Sequence, residues 1–420
     1  MRALLEDAIA TLGLSLGFRL WDGSSVPADW PAGAPAIVFA DEGVVAELVR
    51  RPRLDTLIRA YAAGRIDLAD ASLFDLARLR PQGKTSRLIR GLSKRRAFDV
   101  ARLFWFAPIT VPPAPGLSQE TRDPDRIARA KSDIAFHYDV SNAFYALFLD
   151  PAMVYSCAYF TEWHDDLARA QHDKLEMICR KLRLKPGERF LDVGCGWGAL
   201  VIHAARHHGV EAVGVTLAEN QAALARERVA AAGLSDRVTI DVADYSQVRG
   251  TFDKIASIGM FEHVGLANHA TYFRAIHGLL RPRGLYLHHA ITRRAKRTER
   301  AFARGSPEYR ALTRYIFPGG ELDHVGLSAS NLERHGFEVH DVENWREHYA
   351  RTCRLWWERL EAASQAAAVE IGPEKARLWS LYLAGCALAF ERGGAQIFQT
   401  LASRRTRGPS GLPATRADLY

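Results

Sequence analysis

The stretch Leu191-Asp192-Val193-Gly194-Cys195-Gly196-Trp197-Gly198 carries the most specific chemical signal in the sequence. It falls where an apolar run, Arg189–Val193, gives way to a helical pattern, Ala199–His208. Glycines there permit a tight turn and let backbone approach a ligand, while the start of a helix offers free N–H groups. A dinucleotide loop would read GxGxxG with an acid about 20 residues further on. This loop reads GxGxG behind Asp192, and the next strand ends Val215-Thr216 with no carboxylate at its tip. Asp244 follows the third strand, placed to accept from an amino group. Glu262 follows the fourth, at the carboxyl edge where α/β sheets bind ligands. His288 and His289 are adjacent on a later strand, so only one can face a site. Alternation groups His289 with Leu285 and Leu287, and His288 with Tyr286, without saying which face is which. Tyr349 shares a helical face with Cys353, Trp356 and Leu360, a spacing that usually means core packing. Cys157 and Cys386, taken alone, are small buried hydrophobes.

A sheet must hold these groups. Strands at Arg189–Val193, Glu211–Thr216, Val238–Val242, Phe252–Ile258 and Leu285–Ile291 alternate with helices at Ala199–His208 and Glu219–Ala232. That order predicts an α/β, parallel, doubly wound sheet covered on both faces. Beyond 345 the pattern reads as helical. Residues 1–107 read as a smaller, mostly helical domain with strands at Gly17–Trp21 and Ala36–Phe39. Residues 108–126 hold five prolines and form the best linker. The expected organisation is therefore 1–107, a linker at 108–130, a main domain at 131–405 and a tail at 406–420.

The chain of 420 residues is 25% charged and 48% hydrophobic, which excludes a disordered or fibrous protein. No apolar run approaches the roughly 20 residues that cross a bilayer. Glu6 and Asp7 sit where an export signal would be apolar. Five cysteines without CxxC spacing argue against a disulfide framework and a structural zinc, and favour a cytoplasmic location. No metal is expected. The net charge of +8 calls for an anionic partner. Nine basic residues lie between Arg78 and Arg102 against one acid, interleaved with apolar and aromatic side chains. Such a stretch reads as an amphipathic surface for anionic phospholipid. A second basic cluster runs from Arg293 to Arg314. No nucleic-acid module accompanies either one, so nucleic acid is not the expected partner.

The glycine loop resembles that of class I S-adenosylmethionine-dependent methyltransferases, in which it wraps the amino acid part of the cofactor. Further motifs follow in order: Phe136-His137-Tyr138-Asp139 with Ser141-Asn142, Tyr155-Ser156-Cys157-Ala158-Tyr159-Phe160, Met260-Phe261-Glu262-His263-Val264-Gly265, Tyr315-Ile316-Phe317-Pro318-Gly319-Gly320 and Tyr382-Leu383-Ala384-Gly385-Cys386. Together they resemble the cyclopropane-fatty-acyl-phospholipid synthase family, which includes the mycolic acid cyclopropane synthases. The resemblance covers 130–400 and extends more loosely over the first hundred residues. It implies a Rossmann-like methyltransferase fold with helical additions. It also implies S-adenosylmethionine held by Tyr155, Ser156, Asp192, Gly194, Cys195, Gly196, Gly198, Thr216, Gln221, Asp244 and Tyr245. Thr216 and Gln221 would replace the usual ribose-binding acid. A bound bicarbonate is implied as base, held by Cys157, Glu262, His289, Tyr349 and the backbone of Ile291. Cys386 matches a cysteine proposed as catalytic in the family, although no base adjoins it in sequence.

The implied reaction moves a sulfonium methyl to the cis double bond of an unsaturated phospholipid acyl chain. Loss of a proton from that methyl closes a cyclopropane ring. Such chemistry needs a dry slot, aromatic faces to shelter positive charge and a base beside them. The enzyme is expected at the inner membrane face as a peripheral protein, and a homodimer is compatible with this. If the cation rearranges first, a methylene- or methyl-branched chain results. A catalytically silent lipid- or cofactor-binding homologue is the rival of another class, and the presence of all five base-site residues argues against it.

Overall fold

The computed structural model describes residues 1–79, 93–111, 140–305, 309 and 320–419. The Phe136–Asp139 and Tyr315–Gly319 motifs lie outside them, as do most of the proline-rich linker and residues 80–92 of the first basic run. The described residues form two compact units.

The first unit begins with α1 (Arg2–Leu12) and a four-stranded sheet of order β2 (Ser25–Val26), β1 (Gly17–Arg19), β3 (Ala36–Phe39), β4 (Ile66–Ala69). Around it lie α2 (Glu42–Arg50), α3 (Leu54–Ala62), α4 (Leu73–Arg78) and α5 (Lys94–Phe104). α2 starts where the Asp41 carboxylate accepts from the Val44 N–H at 3.1 Å, satisfying an amide the helix leaves open. That start turns Val44, Val45 and Ala46 into a core with Phe18, Phe39 and Ile66. Ser72 and Asp75 cap α4 reciprocally. Glu47 and Arg59 form a buried ion pair at 2.9 Å, so removing either alone would strand a charge. α5 packs inward through Val100 and Phe104, yet leaves Phe98, Leu103 and Phe106 just beyond it 68%, 68% and 90% exposed. β2 and β4 were not expected: β2 has only two residues, and β4 places Asp67 inside a four-residue run.

The second unit opens with α6 (Asn142–Ala146) and α7 (Leu167–Leu182), followed by β5 (Arg189–Val193), α8 (Ala199–His208), β6 (Glu211–Thr216), α9 (Glu219–Ala231), β7 (Val238–Val242) and β8 (Phe252–Ile258). Next come α10 (His269–Leu279), β9 (Leu280–Arg293), α11 (Glu299–Ala303), α12 (Val325–Arg334), β10 (Phe337–Asn344) and α13 (Arg346–Ala362). α14 (Ser364–Ile371) and most of α15 (Pro373–Glu391) group with the first unit before β11 (Ala395–Arg404) completes the second. The seven strands run in the order β10-β11-β9-β8-β5-β6-β7. β9, β8, β5, β6 and β7 pair in parallel, as the alternating pattern predicts. β11 corrects both the all-parallel sheet and the helical reading beyond 345: it lies antiparallel between β9 and β10. Its buried Gln399, Thr400 and Ser403 break up any apolar run. Apolar cores cover both faces, one containing Ile178, Phe190, Val201 and Leu287, the other Leu191, Phe273, Tyr286 and Phe337. The chain reverses its direction of winding between β5 and β8, and ligands of open α/β sheets bind at the carboxyl ends of strands at such a point. Among the described residues no helix is long and apolar enough to cross a membrane.

Candidate active site

A cleft of about 1090 Å³, counted to its open mouth, lies at that reversal point. Tyr155, Ser156, Asp192, Gly194, Cys195, Gly196, Thr216, Gln221, Asp244 and Tyr245 all line it. The Gly194 and Cys195 amides donate to the Val215 carbonyl, pinning the loop to the tip of β6. Gly196 adopts φ +53°, and a side chain there would meet no protein atom within 4 Å. Gly198 is not on the lining. Its φ of +81° starts α8, and a Cβ there would press on the Ala225 Cβ at 3.2 Å, so its smallness serves helix packing. Thr216 donates to Gln221 at 3.1 Å, joining two buried side chains on the cleft wall. One Asp244 oxygen accepts from Ser246, which fixes the carboxylate at the rim. Trp197 also lines the cleft, held by its indole N–H on Asn142 at 2.7 Å. Tyr145 packs between Trp197 and Tyr155, with centroids at 5.0 and 5.3 Å, and Trp356 covers Tyr155 at 5.1 Å. Of these rings, Tyr155 and Trp197 face the cleft, and such faces suit a cation.

Glu262, His289 and Cys157 are buried and lie off the cleft lining. The Ile291 N–H donates to the Glu262 carboxylate at 2.6 Å, and the second Glu262 oxygen has no partner among the described residues. Burial raises this acid to about 7, against the Ile291 hydrogen bond. His289, fully buried, takes Gln399 at Nδ1 at 2.9 Å and leaves Nε2 without a partner. Burial and the cations of Lys174 and Lys181 hold its pKa well below the usual range, so the ring is neutral. Trp345 links two of these groups. Its ring meets His289 edge-on at 5.4 Å and its carbonyl faces the Cys157 thiol at 3.8 Å, while the Tyr349 ring packs on Trp356 at 5.9 Å and Phe390 at 4.6 Å. Cys157 is a thiol rather than a thiolate, because burial pushes its pKa up. His288 lies on the other face of β9, bonded to Tyr286 at 3.1 Å, a satisfied core histidine. Cys386 sits on α15 among residues of the first unit, where burial pushes its thiol to about 12.

Sequence reasoning missed Lys174, a buried cation on the cleft wall that donates to Ser156 at 2.8 Å. Burial lowers it to about 8, against nearby Cys157, Asp150 and Asp192. The signal was available: Lys174 and Lys181 occupy core positions of α7, in line with Ala170, Gln171 and Ile178. Gln171 in turn binds the Val154 and Ser156 carbonyls, shaping the segment that presents Tyr155 and Cys157. Cys179, His203 and His208 also lie close together, but Glu176 already engages both imidazoles at 3.2 and 3.1 Å.

Asp192 is buried, with one oxygen unpartnered among the described residues, and burial raises it to about 7 against the pull of Lys174. A carboxyl raised in the folded state contributes stability below its unfolded pKa of about 4 and loses it as pH rises through 7. The melting temperature of Asp192→Asn, relative to the unliganded parent, is therefore expected to climb between pH 5 and pH 8. Scanning calorimetry across that range reads the difference; a gap that stays flat would mean that Asp192 is ionised throughout.

The family model described as mycolic acid cyclopropane synthetase matches residues 125–400. A "probable fatty acid methyltransferase" of Pseudomonas putida is 40% identical over 100% of both chains. The cyclopropane-fatty-acyl-phospholipid synthase of Escherichia coli (strain K12) is 41% identical over 64% of this chain and 66% of that one. The crystal structure of mycolic acid cyclopropane synthase CmaA1 complexed with SAH and CTAB superposes with a TM-score of 0.60 at 35% identity, covering 65% of this chain and 98% of that one.

Proposed function

The chain belongs to the mycolic acid cyclopropane synthetase family of S-adenosylmethionine-dependent methyltransferases. From that premise we propose that it transfers a methylene group to the cis double bond of unsaturated phospholipid acyl chains, forming a cyclopropane ring, with bicarbonate as base. The observation that carries this reading is the pair of unmet buried groups, His289 Nε2 and the second Glu262 oxygen, beside an aromatic-walled cleft. When bound, S-adenosylmethionine supplies the sulfonium methyl and bicarbonate supplies a base for the departing proton. Asp192 and the glycine loop hold the amino acid end of the cofactor, Thr216 and Gln221 its ribose, and Asp244 its adenine. Tyr155 and Trp197, backed by Tyr145 and Trp356, shelter positive charge from water. Glu262, neutral or charged with equal ease near pH 7, would hold a proton towards the anion, oriented by the Ile291 N–H that it accepts, while Cys157, His289 and Tyr349 would set the anion's place.

α5 supports docking on anionic lipid from the cytoplasmic side. Phe98, Leu103, Trp105 and Phe106 are exposed among Lys94, Arg95 and Arg102, the mixture that settles into a headgroup layer. Arg96 is excluded, because it pairs with Asp7 at 3.4 Å and caps the Ala3 carbonyl. Each basic residue near such a surface contributes about 1 kcal/mol, screened by salt. A variant with Phe98 and Phe106 changed to Ser, and Lys94 and Arg95 to Gln, is expected to lose flotation with phosphatidylglycerol vesicles. It should still turn over detergent-dispersed lipid. Equal flotation of both proteins would remove α5 as the docking element.

A methylene- or methyl-branched product is the second reading, favoured by the end-to-end match to a probable fatty acid methyltransferase. Expression in a host lacking such enzymes separates the two. Fatty acids that gain one CH2 and resist hydrogenation carry a ring; reducible or already branched products overturn the first reading in favour of the second.

A further inference from the structure

We propose that Lys181 and Gln399 are positioning residues that fix His289 as the Nε2–H tautomer, presenting a buried N–H donor to the anion of the base site. The anion rests on the reading above; the tautomer does not. A glutamine amide has two nearly identical ends, and its orientation follows from the partners around it. An ammonium group can only donate. Lys181 Nζ lies 2.8 Å from Gln399, so the end facing it is the oxygen. The amide nitrogen then faces His289 Nδ1 at 2.9 Å and, being a donor, requires a lone pair there. The ring proton is left on Nε2, where no partner lies among the described residues. A buried donor left unmet is costly, so the unpartnered N–H calls for an acceptor.

The chain of direction begins at Glu343, which pairs with Lys181 and keeps it charged. Lys181 also lies over the Trp345 ring at 5.1 Å, and the same ring meets His289 edge-on, so the imidazole cannot swing away. Sheet register does the rest: Gln399 on β11 pairs directly with His289 on β9. Full burial, with Lys174 and Lys181 nearby, keeps the ring from accepting a second proton.

The whole protein labelled with 15N-histidine tests this directly, with His289 assigned by its loss in His289→Phe. The expected spectrum at pH 7 shows a neutral ring protonated at Nε2; a proton on Nδ1, or an imidazolium, would overturn the proposal. Gln399→Leu should raise the half-saturating bicarbonate on the order of tenfold in CO2-depleted buffer, with S-adenosylhomocysteine affinity unchanged by calorimetry. Unchanged half-saturation would overturn it too. Gln399→Glu should draw the proton to Nδ1 and raise the ring's pKa, so activity recovers as falling pH makes the imidazolium and restores Nε2–H. A merely structural role gives no such limb, and its absence counts against the proposal. A parent enzyme indifferent to bicarbonate would instead overturn the base reading, while the histidine spectrum still decides the tautomer.

Discussion

Glu262→Gln is expected to lower turnover by about 10²- to 10³-fold, the usual loss when one preorganised polar group is removed from a reacting centre. The substitution keeps the shape and an oxygen for the Ile291 N–H, which donates to Glu262 at 2.6 Å. What disappears is a proton that can be given and regained, because burial poises the native carboxyl at about 7. Affinity for S-adenosylhomocysteine should stay unchanged, since Glu262 is not on the cofactor cleft. There is also a pH signature. As pH rises through 7 the native carboxyl ionises and repels an anion beside it, so half-saturating bicarbonate should climb in the parent and stay level in the variant. Calorimetry with S-adenosylhomocysteine, paired with single-turnover rates, checks both parts. A variant that loses the cofactor yet turns over normally when loaded would place Glu262 in the wrong site.

Gly196→Val is expected to do the reverse, weakening S-adenosylhomocysteine binding by about two orders of magnitude while the fold survives. At φ +53° a β-branched residue is strained by roughly 1–2 kcal/mol. Its side chain would meet no protein atom within 4 Å, so the space it takes belongs to the ligand. Gly198→Ala is the control. Its added Cβ would press on Ala225 at 3.2 Å, so it should lower the melting temperature and spare affinity. If Gly196→Val binds as tightly as the parent, the loop does not cradle the cofactor.

Much of this site is legible in the sequence because its parts obey local rules. Strand alternation separated His289 from His288 before any face was known, and the structure puts His289 against Gln399 and Trp345 while His288 bonds to Tyr286. The glycine loop could be placed because a strand end and a helix start bracket it. What escaped notice depends on partners distant in sequence. Lys174 and Lys181 sit at apolar positions of α7, where a lysine reads as an interruption until Ser156, Gln399 and Glu343 appear around it. β11 escaped for a related reason: its interior carries Gln399, Thr400 and Ser403, polar groups tolerable in a core only because other elements satisfy them. Gly198 carries a role the motif does not announce: it lets a neighbouring helix approach at Ala225.

The position of β11 has a consequence for the order of synthesis. Among the described residues, those lining the cleft lie between Met153 and Val264, so that stretch is synthesised well before β11. The base site waits for a strand added 110 residues after His289. Until Ala395–Arg404 arrives, β9 and β10 each keep an open edge, the kind of unpaired strand that invites association with other chains. A ribosome-bound chain halted before this strand lacks the glutamine that pairs with His289. The cleft-lining residues are thus synthesised first, and the strand that completes the surroundings of His289 comes last.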